Sequence, residues 1–215
     1  METRKVNFKD CSREYLEDTF GLAQLSKHEI LTKWIENSKN IFITDFEKET
    51  VNRLQEKLVY RVDDWNEPEL KEHFIAPLFS LIDFNTNVYG MFINRELSAI
   101  IDNITLIGNP DAIIAKGRRS PKMPYFCFNE YKKEMEARGE PIGQCLSAML
   151  VAQELNHNEK PIYGVVVKGK IWEFLVLEGK EYAISNAYKS TDEELFEIMR
   201  LMKQLKAIIE EYVIQ

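Results

Sequence analysis

The sequence has few of the residues on which many enzyme classes depend. Its three histidines are scattered and form no H-x-x-H or H-E-x-x-H pair, which argues against a zinc hydrolase. Its three cysteines, Cys11, Cys127 and Cys145, are an odd number without C-x-x-C spacing, and they indicate reduced thiols, not a zinc site or a disulfide framework. Cys145 also lacks a G-x-C-x-G frame, which favours a buried thiol over a nucleophile. No G-x-x-x-x-G-K-[ST] or G-x-G-x-x-G motif is present, which excludes nucleotide-driven motors and dinucleotide enzymes.

The sequence also lacks the apolar segments of a membrane or secreted protein. No run approaches the ~20 apolar residues that a membrane span needs, and Met1–Lys5 lacks the apolar core of a signal peptide. We therefore expect a cytoplasmic protein without membrane contact. The 215 residues are 45% hydrophobic, which is enough for one substantial core. The net charge of −7 opposes non-specific nucleic-acid binding, although local charge matters more than the total.

Residues 1–64 carry apolar side chains at helical intervals. Leu16 and Phe20 form one such set and Leu31 and Trp34 another, with a break near residue 26. Spacings of three and four residues place these side chains on one face of a helix. The sequence therefore predicts a helical N-terminal extension over residues 1–64, packed on a core over residues 65–215. Contact with a partner or a second protomer is the alternative use of this extension.

A further helix is predicted over residues 66–82, with Asn66 as its N-cap. Its buried stripe is expected to consist of Leu70, Phe74, Leu78 and Leu81. At about 100° per residue, Glu67 falls in the centre of that stripe and Glu69 on the opposite side. Glu67 is therefore the acid predicted to face the core and join a site there. The alternative is a carboxylate that is favoured only by the helix N-terminal dipole. Pro77 is expected to bend this helix.

The rest of the pattern predicts a sheet with further helices. Strands are expected between Val88 and Ile107, with one face running through Ile100, Asp102, Ile104 and Leu106. A helix is predicted over residues 141–156. Three strands follow at 162–167, 172–177 and 182–187, and a last helix at 191–212. The predicted fold class is therefore α/β, in the α+β sense.

Two apolar runs, Ala112–Ala115 and Tyr125–Phe128, are predicted to be the buried strands of one hairpin. Side chains alternate along a strand, so Glu130 and Lys132 project from the same face about 6.6 Å apart. A neighbouring strand can bring Asp111 alongside them. The hairpin is thus expected to hold two carboxylates and one ammonium at a single place.

This grouping suits metal-assisted hydrolysis of a phosphodiester. Two adjacent carboxylates repel each other unless a proton or a hard divalent cation lies between them. Mg²⁺ is commonly held by one or two carboxylates together with waters and substrate phosphate oxygens. A lysine beside the metal can hold a water and stabilise charge on phosphorus. The alternative is a salt-bridged hairpin end, in which Asp111 is a turn residue and Lys132 only pairs with Glu130.

The connection of the hairpin, Lys116–Pro124, is basic. No acid occurs from residue 112 to 124, and the cations there are Lys116, Arg118, Arg119 and Lys122, which we call the basic loop. Positive side chains beside a metal centre would hold a phosphate backbone, because backbone contacts dominate nucleic-acid affinity. Simple solvation of an exposed loop is the alternative.

Several of these pieces together resemble the PD-(D/E)xK nuclease superfamily. Pro110–Asp111 is followed 19 positions later by Glu130–Tyr131–Lys132, with apolar strands around each half, as in the D…ExK core of that superfamily. Gln144, near the start of a predicted helix, is similar to the glutamine that several of its families carry after the ExK strand. The segment Glu67–Leu78 resembles the first core helix of nuclease domains such as those of type I restriction subunits. The resemblance covers roughly residues 60–190.

The resemblance implies a restriction-endonuclease-like mixed sheet and Mg²⁺-dependent hydrolysis of nucleic acid, with DNA as the expected substrate. Asp111 and Glu130 would bind Mg²⁺, or Mn²⁺ in its place, and the Tyr131 carbonyl would complete the ligands. Lys132 would position the attacking water, and Gln144 and Glu67 would support that water or a second ion.

Two alternatives from other classes remain. One is a non-catalytic nucleic-acid or protein interaction module of the same fold, in a defence or mobile-element system. The other is a purely structural α/β domain, which would respond to no ion. Small enzymes of this fold often pair to cut both strands, which makes a homodimer a possible assembly, although no residue identifies a dimer surface.

Overall fold

The computed structural model of the protein describes residues 4–132, 140–158 and 160–214. The helices are α1 (Arg13–Phe20), α2 (Glu29–Ser38), α3 (Asp45–Arg61), α4 (Glu67–Leu70), α5 (Ala76–Ile82), α6 (Pro141–Asn156) and α7 (Glu194–Ile214), with a 3-10 turn at Phe8–Asp10 and a π-helical segment at Lys71–Ile75. The strands are β1 (Arg4–Asn7), β2 (Ala23–Gln24), β3 (Tyr89–Ile93), β4 (Leu97–Ile101), β5 (Ile104–Gly108), β6 (Ala112–Lys116), β7 (Lys122–Lys132), β8 (Ile162–Lys168), β9 (Ile171–Glu178), β10 (Glu181–Ile184) and β11 (Tyr188–Lys189). The fold is a mixed α/β arrangement of multistranded sheet and flanking helices.

The main sheet has the strand order β2-β10-β9-β8-β7-β6-β3, with β11 paired to β9. The predicted hairpin is confirmed, because β6 and β7 pair antiparallel. β7 and β8 run parallel, and α6 is the helix that connects them. The central strands β7 and β8 therefore present their carboxyl ends at the same end of the sheet, where Lys132 lies opposite Lys168.

The side chains of the main sheet alternate between two cores. Ala112, Ile114 and Cys127 pack on the face that carries α2, α3, α5 and α7. Ile113 and Phe128 pack on the opposite face, with the apolar side of α6 and with residues near the N-terminus. Because side chains alternate along a strand, Glu130 and Lys132 follow Phe128 toward the α6 face.

A second, three-stranded sheet has the order β1-β5-β4. The sequence pattern predicted one strand face running from Ile100 to Leu106, and this prediction is wrong. The chain reverses at Asp102 and Asn103, whose φ angles of 48° and 64° are both positive. A two-residue hairpin turn with positive φ at both positions suits Asp and Asn, and it can interrupt an alternating pattern without a glycine or proline.

Residues 1–64 are more closely integrated with the two sheets than a helical extension would be. The predicted helices are present, but this segment also supplies β1 to the small sheet and β2 to the edge of the main sheet. Helix α2 is fixed to the last helix, because the indole N–H of Trp34 donates to the carbonyl of Leu201 at 2.8 Å. A side chain at Gly143 of α6 would come within 2.4 Å of the Cys11 carbonyl, so a glycine is required there for the N-terminal segment to pack closely. The division into an extension and a core at residue 64 stays a prediction.

The helix predicted over residues 66–82 forms in three parts. Asn66 caps α4 in a reciprocal capping box with Glu69, as its position predicts. The π segment that follows ends where the Ala76 N–H donates to the Lys71 carbonyl, five residues earlier. Pro77 has no N–H to continue the regular hydrogen bonding of an α-helix. The π-helical segment before it takes the place of the predicted bend.

Within the described residues, no helix combines the length and the apolar character that crossing a membrane would require.

Candidate functional site

Asp111 immediately precedes β6, at the end of the main sheet where β7 finishes. Its backbone carbonyl accepts a hydrogen bond from the Asn94 N–H at 3.0 Å. Its carboxylate Oδ2 accepts from the Tyr131 N–H at 2.7 Å. Both the backbone and the side chain of Asp111 are thus fixed by neighbouring strands, and Oδ1 is the oxygen that carries no sheet contact.

Glu130 and Lys132 end β7 and form an ion pair, with 2.9 Å between Glu130 Oε1 and Lys132 Nζ. Only 6% of the Glu130 side chain and 18% of the Lys132 side chain are exposed. β7 is a central strand, with β6 along one edge and β8, which pairs with it at Glu130, along the other. A carboxylate in this central position cannot reach bulk water, so its charge must be balanced by neighbouring groups.

Glu67 reaches the same place from the opposite layer of the fold. Its Oε2 lies 3.6 Å from Lys132 Nζ, and its Oε1 accepts from the Lys71 ammonium. Lys71 Nζ also donates to Asp111 Oδ1 at 2.7 Å. The five side chains are therefore linked into one group, which we call the acid–lysine cluster: Glu67, Lys71, Asp111, Glu130 and Lys132.

Burial, and after it the nearby charge of Asp111, raise the pKa of Glu130 to about 7, against the opposing effect of Lys132. Two carboxylates therefore share this end of the sheet at a cost in free energy. A divalent cation would lower that cost by favouring the ionised form of Glu130.

The two lysines of the cluster stay protonated. Burial by itself would lower the pKa of Lys132, but the ion pairs with Glu130 and Glu67 outweigh burial, and its pKa is raised. The same balance raises the pKa of Lys71, through Asp111 and Glu67. Lys132 is therefore a hydrogen-bond donor and a fixed positive charge at neutral pH, not a proton acceptor.

Lys71 is the member of the cluster that sequence reasoning did not identify. It lies four residues after Glu67, directly after α4, and this spacing places both side chains on the same side of the helical segment. That spacing was the available signal, but it does not distinguish an ordinary surface pair from a partner of Asp111. The contact with Asp111 spans 40 residues, and only the tertiary structure creates it.

The ion pair of Lys132 with Glu130, which the salt-bridge alternative predicted, is present as well. It does not stand alone, because Glu67 and Asp111 converge on it from two other segments. A hairpin end stabilised only by its own charges would not need the carboxylate of Glu67, which comes from outside the hairpin.

Gln144 lies in the first turn of α6, where its N–H donates to the Glu140 carbonyl at 3.0 Å. Only 9% of the residue is exposed, so it is not the ordinary exposed glutamine of the alternative reading. Helix α6 covers the sheet face toward which Glu130 points. Within the described parts of the chain, however, the Gln144 side chain forms no hydrogen bond with the cluster.

The basic loop lies at the other end of the hairpin. β6 begins beside Asp111 and ends at Lys116, and β7 begins at Lys122 and ends at Lys132. Five residues of strand separate Asp111 from Lys116, or about 17 Å. The expectation that this loop lies beside the carboxylates is therefore wrong, because antiparallel pairing places the connection and the strand termini at opposite ends. Its role in nucleic-acid binding stays a prediction.

A cleft of about 680 Å³ opens on the cluster from the side of β3. Glu67, Lys71 and Asp111 line its charged end, and Ile75, Phe79, Met91 and Ile93 line its apolar part. The cleft gives a ligand access to Asp111 from solvent. Cys145, by contrast, is 1% exposed, and burial raises its pKa, which excludes a thiolate nucleophile at this face.

The fit of the cluster to Mg²⁺ depends on how many oxygen ligands it can offer. In residues 4–132, 140–158 and 160–214, no three His, Cys, Asp or Glu side chains are grouped as they would be around one ion. Lys71 and Lys132 stand between the carboxylates instead. Mg²⁺ needs only one or two protein carboxylates with waters, so Asp111 and Glu130 together suit it, provided that the ammonium groups give way.

No protein-family model matches this chain, and no curated protein is significantly similar to it. The chemistry of the site therefore follows from its own residues.

Proposed function

We propose that the protein is a metal-dependent nuclease that hydrolyses phosphodiester bonds in nucleic acid, with DNA as the expected substrate. The observation that carries this proposal is the convergence of Glu67, Asp111, Glu130 and Lys132 at one end of the sheet, from three separate segments. These are the residues that the resemblance to PD-(D/E)xK nucleases assigns to catalysis. The cleft beside Asp111 supplies a route for a substrate strand.

In this proposal Asp111 and Glu130 hold Mg²⁺, or Mn²⁺ in its place. The ion, when bound, would act as a Lewis acid on a phosphate oxygen and would favour an ionised water. The Tyr131 N–H orients the Asp111 carboxylate through the bond to Oδ2. Oδ1 and the Glu130 carboxylate are then the oxygens that face the ion.

Lys132 is the group that holds the attacking water and stabilises the charge developing on phosphorus. It is suited to this role because its ammonium is fixed between Glu130 and Glu67 and remains protonated. Glu67 is thus a positioning residue, which acts through Lys132. Gln144 is assigned to support of the water or the phosphate, on the resemblance and on its buried position at the start of α6.

Thermal unfolding with and without divalent ions tests the proposal. Mg²⁺ or Mn²⁺ at about 100 times Kd should stabilise the wild type by roughly 2.7 kcal/mol, because only the folded state binds the ion. The Asp111→Asn variant should lose this gain. Absence of any ion effect on the wild type would contradict a metal-dependent function.

Cleavage of plasmid and single-stranded substrates is the second test of the proposal. The wild type should cut at least one of them in the presence of Mg²⁺ or Mn²⁺, and Lys132→Ala should not. Lys33→Ala is a matched control, since Lys33 forms an ordinary surface pair with Glu29 and its side chain is 66% exposed. Equal cleavage by Lys132→Ala and wild type would remove Lys132 from the mechanism.

The second candidate is a non-catalytic interaction module of the same fold, in a defence or mobile-element system. The net charge of −7 favours the form of this module that binds a protein, because an acidic protein repels a phosphate backbone. The lysines that already balance the carboxylates of the cluster also favour it. This candidate predicts no ion-dependent stabilisation and no cleavage, so the same two experiments separate it from a nuclease.

A further inference from the structure

The ammonium of Lys71 occupies an unusual position, directly between two carboxylates. It donates to Asp111 Oδ1 at 2.7 Å and to Glu67 Oε1, and it lies 5.7 Å from the centre of the Tyr131 ring. Only 30% of the side chain is exposed. Lys71 is thus held from three sides by α4, by the residue before β6 and by β7.

A surface ion pair of the same spacing shows how unusual the environment of Lys71 is. Glu29 and Lys33 are also four residues apart on a helix, but 78% and 66% of their side chains are exposed. Such pairs are screened by solvent and contribute little. For Lys71, the bond to Asp111 joins two layers of the fold and ends on the one oxygen of Asp111 that the sheet leaves available.

The bond of Lys71 competes with any second cation for that oxygen. Asp111 Oδ2 already accepts from the Tyr131 N–H, so an ion held by Asp111 would use Oδ1. An ammonium and a divalent cation at the same oxygen would repel each other strongly in a partly buried site. One of the two must leave, and the lysine can do so because Glu67 retains it.

We propose that Lys71 is a built-in counter-ion of the cation site, which occupies Asp111 in the metal-free protein and which a divalent ion must displace. This proposal rests on the proposed metal-dependent function and adds a residue that controls its ion affinity. Lys71 is a positioning residue, since it acts on the site through Asp111 and Glu67. Removal of its charge should therefore tighten ion binding, whereas loss of an ordinary structural contact should weaken binding or leave it unchanged.

Calorimetric titration with MnCl₂ alone tests the proposal, with wild type, Lys71→Met, Lys71→Arg and Lys33→Met. Lys71→Met keeps the length of the side chain and removes its charge, so Mn²⁺ should bind it roughly tenfold more tightly than it binds the wild type. Lys71→Arg keeps the charge and should bind as the wild type does. Lys33→Met changes the net charge equally at a distant surface pair, so it should bind within about twofold of the wild type.

Thermal unfolding in EDTA and in Mn²⁺ distinguishes a change in ion binding from a folding defect of the variant. Lys71→Met should unfold at a lower temperature than the wild type in EDTA, because Asp111 and Glu67 lose their cation, and Mn²⁺ should restore most of the difference. A variant that needs Mn²⁺ to fold would also support the proposal.

The outcomes separate this inference from the proposed function. If the wild type binds Mn²⁺ and Lys71→Met binds it equally or more weakly, the counter-ion role is wrong and the metal-dependent function stands. If neither protein binds Mn²⁺, both are wrong. Binding by Lys71→Met alone would support the counter-ion role while contradicting a metal-dependent activity of the natural protein.

Discussion

The two ends of the β6–β7 hairpin carry charge in opposite ways. At one end, the acid–lysine cluster is largely buried, and ion pairs link its side chains across three segments of the chain. At the other end, the basic loop is exposed, and none of its four cations forms an ion pair within the described part of the chain. The same two strands therefore support a connected, desolvated group of charges and an open, solvated one.

The difference shows where charge is costly to the fold. Burying ions requires partners that replace water, and even paired buried ions are often no more stable than apolar side chains of similar size. Exposed cations cost little and can be changed freely. The cluster is thus the region whose charges are hard to explain by stability, which is typical of a functional site. The basic loop needs no such explanation.

The difference between the acid–lysine cluster and the basic loop can be tested by mutation, and the largest effect is expected at Asp111. Asp111→Asn removes the charge that faces the proposed ion, and we expect cleavage to fall by about a thousandfold, since even supporting residues of metal sites cost 10- to 100-fold. Initial rates on a substrate that the wild type cuts provide the measurement. Asp45→Asn, at a side chain that is 98% exposed, should cleave as the wild type does. Unchanged rates in Asp111→Asn would place the activity elsewhere.

The second-largest effect is expected in the pH dependence of the free energy of unfolding, to which Glu130 contributes at the buried end of the hairpin. The pKa of Glu130, about 7 in the folded protein, lies above the roughly 4.3 of an unfolded chain, so the folded state binds the extra proton between these values. The stability from this group is complete below about pH 4 and is lost as pH rises through about 7. The free energy of unfolding should therefore fall by up to roughly 4 kcal/mol from this group.

Urea unfolding in EDTA at pH 5 and pH 8 measures this effect. Glu130→Gln carries no titrating group, so its stability relative to the wild type should rise between the two pH values. A constant difference between the two proteins would show that Glu130 is not a buried, raised-pKa carboxyl group.

A smaller effect is expected from the basic loop. Replacing Lys116, Arg118, Arg119 and Lys122 by glutamine should weaken nucleic-acid binding roughly tenfold and reduce its salt dependence, because fewer counterions are released. The free energy of unfolding should change by no more than about 0.5 kcal/mol. Fluorescence anisotropy with a labelled oligonucleotide at several salt concentrations provides the measurement. An unchanged affinity would mean that the loop is only a solvated connection.

The smallest effect concerns the helix start that positions Glu67. Asn66→Ala removes the N-cap of α4 and should cost about 1 kcal/mol of stability. Thr44→Ala removes the same kind of capping box from α3 and should cost a similar amount. Only Asn66→Ala should also weaken the stabilisation by Mn²⁺, because Glu67 lies in α4 and Lys71 directly follows that helix. Equal ion responses in both variants would remove α4 from the site.

Local patterns predicted much of the fold. The hairpin of β6 and β7 follows from two apolar runs, and α6 was predicted with both of its ends. The helical projection also identified Glu67 over Glu69, and Glu69 is used in the capping box instead. These predictions succeed because side-chain period and capping are properties of neighbouring residues.

Three features were missed for a common reason. The strand β2 has only two residues, the turn at Asp102 and Asn103 keeps the alternation of its neighbours, and the basic loop lies away from the carboxylates. In each case the outcome depends on which strand pairs with which and in what direction. Such pairing is decided by contacts between residues that are distant in sequence.

The sequence by itself determined which residues of this protein are the candidates for the proposed site: Asp111, Glu130, Lys132 and the acid at Glu67 are set by residue type and local spacing. Only the tertiary structure decided that Lys71 lies between Glu67 and Asp111, and that the basic loop is far from both. The physical reason is that periodicity places a side chain on a face of its own helix or strand. Which charges then meet depends on how those elements pack, since a buried charge is stable only where another layer of the fold supplies its partner.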